Sequence, residues 1–385
     1  MTLTLLAAFT LAGWLWLGYD LLRGRQAILQ LANALPASVG LPGISIVVAA
    51  RDEAQHLPAA LESWLALDYP DLEIMVVDDR SKDGSAALLD RFARRDERLR
   101  VMHVSELPDG WLGKTHALET GRRAATRPWL LFTDAHVEFA PDTLRRAMQL
   151  VMRERLDHLA LAPRVRARTG MLKVMLLHFT LSFALAVRPH RVRRVADSAA
   201  VGIGAFNLVR TEALETIGGL AAVRLCPDDD VQLGRALKQA GANQAFGYAG
   251  DRLALDWYPS APAMLRGLEK GSFAFLDFSL PRVVLASLGI GLAELWPVAG
   301  LLFTGGPARA LNLAVCGLLS LLAWGACRDL RLPAGYALSW PLGAVLILAA
   351  LWNSALRILQ RGGLVWRDTF YGLAELRAAR RSNRA

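Results

Sequence analysis

Long stretches of this chain carry no charge, and that feature limits its fold more than any other. Thr2 to Tyr19, Ala310 to Cys327 and Leu332 to Leu356 contain no Asp, Glu, Lys or Arg, and between Arg282 and Arg309 the only charge is Glu294. A helix of about 18–20 apolar residues crosses ~30 Å of hydrocarbon with its backbone polar groups paired internally. The expected plan is an N-terminal transmembrane anchor at 1–25 and transmembrane or re-entrant helices over 283–357, with a polar region between them. Arg23 and Arg25 follow the first run, and no basic segment precedes it. An uncleaved anchor is therefore expected, with Ala32-Asn33-Ala34 as the competing cleavage triplet of a signal peptide. The arginines on its C-terminal side put residues from 26 onward in the cytoplasm.

The same rule complicates the far end. The segment 358–385 carries Arg361, Arg367, Arg377, Arg380, Arg381 and Arg384 and reads as a basic cytoplasmic tail. One anchor plus three full spans would leave that tail outside. The Glu294/Pro297 segment, with a carboxylate and a helix breaker, is the expected re-entrant or interfacial element. Met171 to Val187 is also apolar, broken by Lys173 and His178. A crossing there would divide the polar region across the bilayer, so 171–188 is expected to lie in the interface, as is the amphipathic segment 259–282.

A chain that is 54% hydrophobic and 21% charged is too apolar for a disordered protein. Its three cysteines, Cys226, Cys316 and Cys327, show no metal-binding spacing and exclude a disulfide framework. The net charge of +9 is compatible with nucleic acid, anionic lipid or a phosphorylated substrate. The basic residues sit in loops and the tail without interleaved aromatics, which favours membrane and phosphate and sets nucleic acid aside.

Residues 42–258 alternate short apolar runs with helical patterns. Ile44–Ala50 is β-branched and reads as a buried strand; Leu57, Leu61 and Leu65 recur every four residues within a helix over 53–67. Residues 73–77 form the next strand, ending at Asp78-Asp79, and Asp83-Gly84 is a turn before a helix over 86–95. Residues 100–104 and 129–133 are further strands, the last ending at Asp134. Such alternation predicts a mostly parallel, doubly wound α/β sheet, in which ligands bind at the carboxyl ends of the strands. The acids at 78, 79 and 134 occupy such ends. No GxGxxG follows the first strand and no Walker lysine loop is present, so dinucleotide redox and P-loop chemistry do not fit.

The order of the polar residues is distinctive: Ala50-Arg51-Asp52-Glu53, Val77-Asp78-Asp79-Arg80-Ser81-Lys82-Asp83-Gly84, Trp111-Leu112-Gly113-Lys114-Thr115-His116, Thr133-Asp134-Ala135-His136 and Asp228-Asp229-Asp230. Over roughly residues 42–270 this series resembles the family-2 glycosyltransferases of the GT-A fold. With the anchor and hydrophobic C-terminus it is similar to bacterial hopanoid-associated and carotenoid glycosyltransferases, and more distantly to ceramide glucosyltransferases. The resemblance implies a Rossmann-like catalytic domain that binds a nucleoside-diphosphate sugar, a UDP-sugar in this reading. Ala50, Arg51, Glu53, Asp78, Asp79, Lys114 and Asp134 are then the nucleotide-sugar contacts. Asp78 would accept from the base or ribose, and Lys114 would face the diphosphate. Asp230, with Asp229 beside it, is the implied catalytic base, and one in-line displacement then inverts the anomeric carbon. The bland reading of the three acids is N-capping and dipole matching of a helix.

Two departures matter. The usual Asp-x-Asp metal motif reads Asp134-Ala135-His136, so a divalent metal would be held by Asp134 and an imidazole, a donor pair suiting Mn better than Mg. The alternative is that His136 only ends the strand. The Gln-x-x-Arg-Trp element of processive synthases is absent, Met264–Lys270 standing in its place, which argues for transfer of a single sugar. Arg266 and Lys270 are candidates for the diphosphate or for the membrane surface. Gly202 and Gly204 either line the sugar and acceptor pocket or permit a close backbone approach. The expected activity is transfer of one sugar to a lipid hydroxyl at the cytoplasmic face of a bacterial inner membrane, by a multi-pass protein. The alternatives are a polyprenyl-phosphate glycosyltransferase or polysaccharide synthase, and a membrane scaffold or transport protein with a degenerate transferase domain.

Overall fold

The computed structural model describes residues 1–37 and 39–382. The chain divides into two compact units, one of residues 26–166, 187–256 and 379–385, the other of residues 1–25, 167–186 and 257–378.

The first unit is built on a mixed sheet. Its strands are β1 (Leu29–Gln30), β2 (Ile44–Ala50), β3 (Leu72–Asp79), β4 (Leu99–Val104), β5 (Trp129–Asp134), β6 (Glu138–Phe139), β7 (His158–Val165), β8 (Asn207–Arg210) and β9 (Gln244–Leu255). They lie in the order β1-β9-β7-β8-β5-β2-β3-β4, with β6 beside β9. The expected strands at 44–50, 73–77, 100–104 and 129–133 form the parallel group β4-β3-β2-β5. β8 runs antiparallel to both β5 and β7. The register pairs Ala50 with Asp78 and Ala49 with Asp134, which brings three strand ends to one edge. β2 is apolar but for Ser45, and β3 is apolar over Ile74 to Val77 before its terminal acids, as expected of strands buried on both faces.

Two helices matter for the site. Gly113–Ala124 and Asp229–Gln239 contribute Leu118, Leu233 and Leu237 to a core with Val47, Met75, Leu130, Phe132 and Val209. Gly121 is needed for this packing, since a Cβ there would press on Val47 at 2.7 Å. The expected helix from residue 53 begins later, at Leu57. Residues 51–54 are instead tied to the following β3 loop: the Asp52, Glu53 and Ala54 amides donate to Ser81, Ser85 and Asp83 at 3.0, 2.9 and 2.9 Å.

The second unit is helical. Segments 2–27, 170–191, 280–303, 306–329 and 334–361 are long and apolar enough to cross a membrane. The 280–303 segment does not break at Glu294 or Pro297; it passes through a π turn at Gly291–Leu295 and continues as Trp296–Phe303. The Gly170–Val187 helix, expected to lie in the interface, is buried in its first half and only half-buried over 179–185. Leu172, Val174, Met175, Leu176 and Leu177 are all buried, and Leu177 packs with Trp14, Leu319, Ala323 and Trp340.

The expected basic tail holds secondary structure over 363–382. A hairpin pairs Gly363–Trp366 with Thr369–Gly372 through a turn at Arg367 and Asp368, both at positive φ, and a helix follows over Leu373–Ser382. Arg361 pairs with Glu269, and Arg377 donates to the Phe278 carbonyl. Arg380 is buried. Arg384 lies outside the described residues. The segment expected to be an amphipathic surface element, 259–282, holds two short helices with Met264, Phe273 and Phe278 fully buried.

Candidate active site

The carboxyl ends of β3 and β5 carry the acids that the motif series singles out. Asp78 is buried between β2 and β4. Its Oδ2 lies 3.2 Å from Nδ1 of His103, and Nε2 of His103 lies 3.0 Å from Asp90. Hydrogen bonds to Asp90 and Asp78 raise the His103 pKa and favour its imidazolium. The other oxygen of Asp78, Oδ1, is buried without a hydrogen-bond partner. A buried carboxylate with one oxygen clamped and one unsatisfied is an acceptor held ready for a donor. Ala50 is its buried neighbour on β2.

Asp79 is taken up by guanidinium groups, Arg80 at 2.7 Å and Arg51 at 3.7 Å. This explains Gly113. A Cβ on that residue would collide with the Asp79 carboxylate and approach Arg80 at 2.9 Å. The Gly113-Lys114 pair therefore starts its helix against the β3 loop, and the next side chain crosses toward β5.

Lys114 is the centre of the cleft. Its Nζ lies 2.8 Å from Asp134 and 3.3 Å from Asp229. Burial opposes its charge, but Asp134, Asp229 and Asp230 outweigh that and raise its pKa. Asp230 accepts from the Gly204 amide at 2.8 Å through Oδ2 and from the Val231 amide at 2.8 Å through Oδ1. Burial, then the charge of Asp229, push its pKa up to about 6 against the pull of Lys114. Leu118, Phe132, Thr133, Asn207, Leu220 and Leu233 complete the walls. Both glycines permit a close backbone approach. Gly202 lets the backbone close on the Asp230 carbonyl, and Gly204 lines the cleft beside Asp134 while donating to Asp230.

The three acids are not an ordinary cap. Asp228 occupies the N-cap position without a side-chain capping bond. The helix dipole still favours negative charge here, but each carboxylate has its own partner, Lys114 for Asp229 and backbone amides for Asp230.

The sequence reasoning missed Asn207 and its support. Nε2 of buried His158 lies 2.5 Å from Asn207 Oδ1, and burial lowers the His158 pKa to about 4, so the ring is neutral and donates. Neither residue stands in a motif; β7 and β8 meet only in the tertiary fold. Glu53 sits in the interlocked loops through its backbone amide. Lys270 and Arg266 both fall in the helical unit, where the Lys270 ammonium lies 5.0 Å from the Trp366 ring centroid.

For a metal, the donors are sparse. Among the described residues no three His, Cys, Asp or Glu side chains converge on one point. The His136 ring meets His56 edge-on with centroids 6.4 Å apart. What is present suits a cation held largely by substrate phosphates with one or two protein ligands, as Mg²⁺ commonly is. Asp134 lines the cleft, as do Asp229 and Asp230.

The model of the family described as Glycosyl transferase family 2 matches residues 45–218, the stretch that carries β2 to β8. That segment is a family-2 glycosyltransferase domain. Among curated proteins, the glycosyltransferase domain is similar to the succinoglycan biosynthesis protein ExoO of Rhizobium meliloti, 34% identical over 114 residues, or 30% of this chain and 31% of that one. It is also similar to the beta-monoglucosyldiacylglycerol synthase of Trichormus variabilis, 29% identical over 118 residues, 30% of this chain and 25% of that one. The chain thus spans less than half the length of such relatives. Among solved structures, the mannosyltransferase PcManGT of Pyrobaculum calidifontis, in complex with GDP-Man and Mn²⁺, matches 91% of this chain and 98% of its own. The TM-score is 0.59 at 20% identity, a likeness of fold. The glycosyltransferase fold is therefore the GT-A-like α/β sheet with apolar helices toward both ends of the chain.

Proposed function

We propose that this glycosyltransferase moves a single sugar from a nucleoside-diphosphate sugar to the hydroxyl of a lipid at the cytoplasmic face of a membrane, with inversion at the anomeric carbon. The observation that carries the reading is Lys114 bridging Asp134 and Asp229 in one cleft, with Asp230 beside them. An ammonium among three carboxylates is a charge arrangement that a diphosphate would reorganise, since its oxygens compete for Lys114. Asp78 fits the nucleobase end. Its unsatisfied oxygen can accept a ring N–H, which uracil carries at N3 and guanine at N1 and cytosine lacks, and a UDP-sugar is the donor proposed.

Asp230 is the base. Its carboxylate takes the acceptor's hydroxyl proton as that oxygen attacks the anomeric carbon from the side opposite the diphosphate. Gly204 and Val231 amides hold the group in place, and a pKa near neutrality suits a proton acceptor. Lys114 meets charge that develops on the leaving diphosphate. A divalent cation bound to Asp134, with His136 as the second ligand proposed for it, would neutralise the phosphates and polarise the leaving oxygen.

A lipid acceptor is supported by five helices of membrane-spanning length and by the named product of the glucosyldiacylglycerol synthase relative. Membranes incubated with labelled UDP-sugars and a lipid extract test the reading. One glycolipid product, lost in Asp230→Asn while UDP binding persists, is the expected result. A ladder of lengthening products would favour a polysaccharide synthase, and transfer retained in Asp230→Asn would remove Asp230 as base.

A further inference from the structure

At the start of the Asp229–Gln239 helix lies a buried charge pair that the transfer chemistry does not use. The Arg380 side chain is 4% exposed and that of Asp228 7%. The guanidinium donates to Asp228 Oδ1 and, through Nη1, to the Cys226 sulfur at 3.9 Å. The second oxygen of Asp228 accepts from the Gln232 amide nitrogen at 2.7 Å. Asp228 is thereby gripped from inside the helix by Gln232 and from a distant part of the chain by Arg380. It makes no capping bond of its own, so the first turn depends on that grip. Asp229 and Asp230 are the next two residues. A buried carboxylate deprived of its cation is strongly unfavourable and forces its surroundings to shift.

We propose that Arg380 is a positioning residue for sugar transfer: by anchoring Asp228 it sets the first turn of the helix, and with it Asp229 and Asp230 in the cleft. The proposal rests on the assignment of these two acids to the transfer site. It makes the end of the described chain part of the machinery, although that end reads in sequence as a solvated basic tail.

The test combines amide hydrogen exchange with steady-state kinetics on the full chain in detergent or nanodiscs. In Arg380→Met, exchange at residues 229–233 should rise about tenfold while residues 74–78 of β3 stay protected, as expected of a local opening. The kcat should fall ~10–100-fold, the scale seen when an outer-shell partner is removed. KM for the nucleotide sugar should change less than kcat, since Asp78 and Lys114 stand on other elements than the helix that opens. Arg380→Lys keeps the charge but loses the fork, and should recover part of both effects. If Arg380→Met fails to fold, Asp228→Asn combined with Arg380→Met removes the stranded carboxylate; its first turn should exchange fast in an otherwise protected domain. Wild-type exchange at 229–233 in these variants overturns the proposal whatever the rate does, and so does a rise spread evenly over the domain. Failure of the wild type to transfer sugar would count against the proposed function alone, because the exchange readout does not require turnover.

Discussion

Replacing Lys114 by Met keeps most of the side-chain volume and removes the cation among Asp134, Asp229 and Asp230. At an effective dielectric of about 20, a unit pair at 2.8 Å attracts by roughly 6 kcal/mol and one at 3.3 Å by roughly 5. Most of that is offset by desolvation, and breaking a buried pair costs about 3–5 kcal/mol in practice. The Lys114 side chain is 27% exposed, which places the expected loss at the low end, ~3 kcal/mol. The pH dependence follows from the sign of the shift. The folded pKa of Lys114 is raised, so its own titration removes nothing below the ordinary 10.5, and on the acid side the contribution is limited by its carboxylate partners. In the variant the carboxylates are left to repel one another, and protonation relieves them. The gap between wild type and variant should therefore be widest near pH 8 and close as pH falls toward 4. Thermal unfolding in detergent at pH 4, 6 and 8 measures it, at roughly 2–4 °C per kcal/mol for a domain of this size. A gap that is absent at pH 8, or unchanged across the series, refutes the electrostatic account of the cleft.

Further outcomes follow from neighbouring residues. Asp230→Asn should retain UDP binding by calorimetry and lose ~10²–10⁴-fold in kcat, the usual worth of a positioned base. Gly113→Ala should destabilise by about 1–3 kcal/mol because its Cβ meets the Asp79 carboxylate, although helix propensity alone favours Ala by ~1 kcal/mol; the sign of the change in unfolding midpoint separates the two. His158 has a pKa depressed to about 4 from the ordinary 6.5, so it supports the fold above pH 6.5 and withdraws about 3 kcal/mol as pH falls to 4. His158→Gln should flatten that part of the stability profile. Chelation should abolish transfer and Mn²⁺ should restore it best; turnover insensitive to chelator would remove the metal roles of Asp134 and His136.

The β-branched runs at 44–50 and 72–79 could be read directly because alternation of strand and helix leaves a periodic mark on the residues themselves. Gly113-Lys114 and the acids at 78, 134 and 230 were legible as a spaced series. Surface and interior were harder to tell apart. Arg380 has the composition of a solvated tail, and its burial depends on Asp228, more than a hundred residues earlier, having an oxygen left to accept it. For the Gly170–Val187 helix, hydropathy cannot say which neighbours cover its first half, where Leu177 packs with Trp14, Leu319 and Trp340.

Local composition settled the alternation of strands and helices, the charge-free helices and the kinds of donor and acceptor available, because these follow from backbone sterics and transfer from water. Partnership was decided elsewhere. Asp228, Asp229 and Asp230 are chemically equivalent neighbours in the chain, and only the folded surroundings distinguish them. Arg380 takes the first, Lys114 the second, and the Gly204 amide joins Val231 on the third. Electrostatic free energy depends on distance and burial in three dimensions, so identical side chains acquire different tasks once the chain has closed around them.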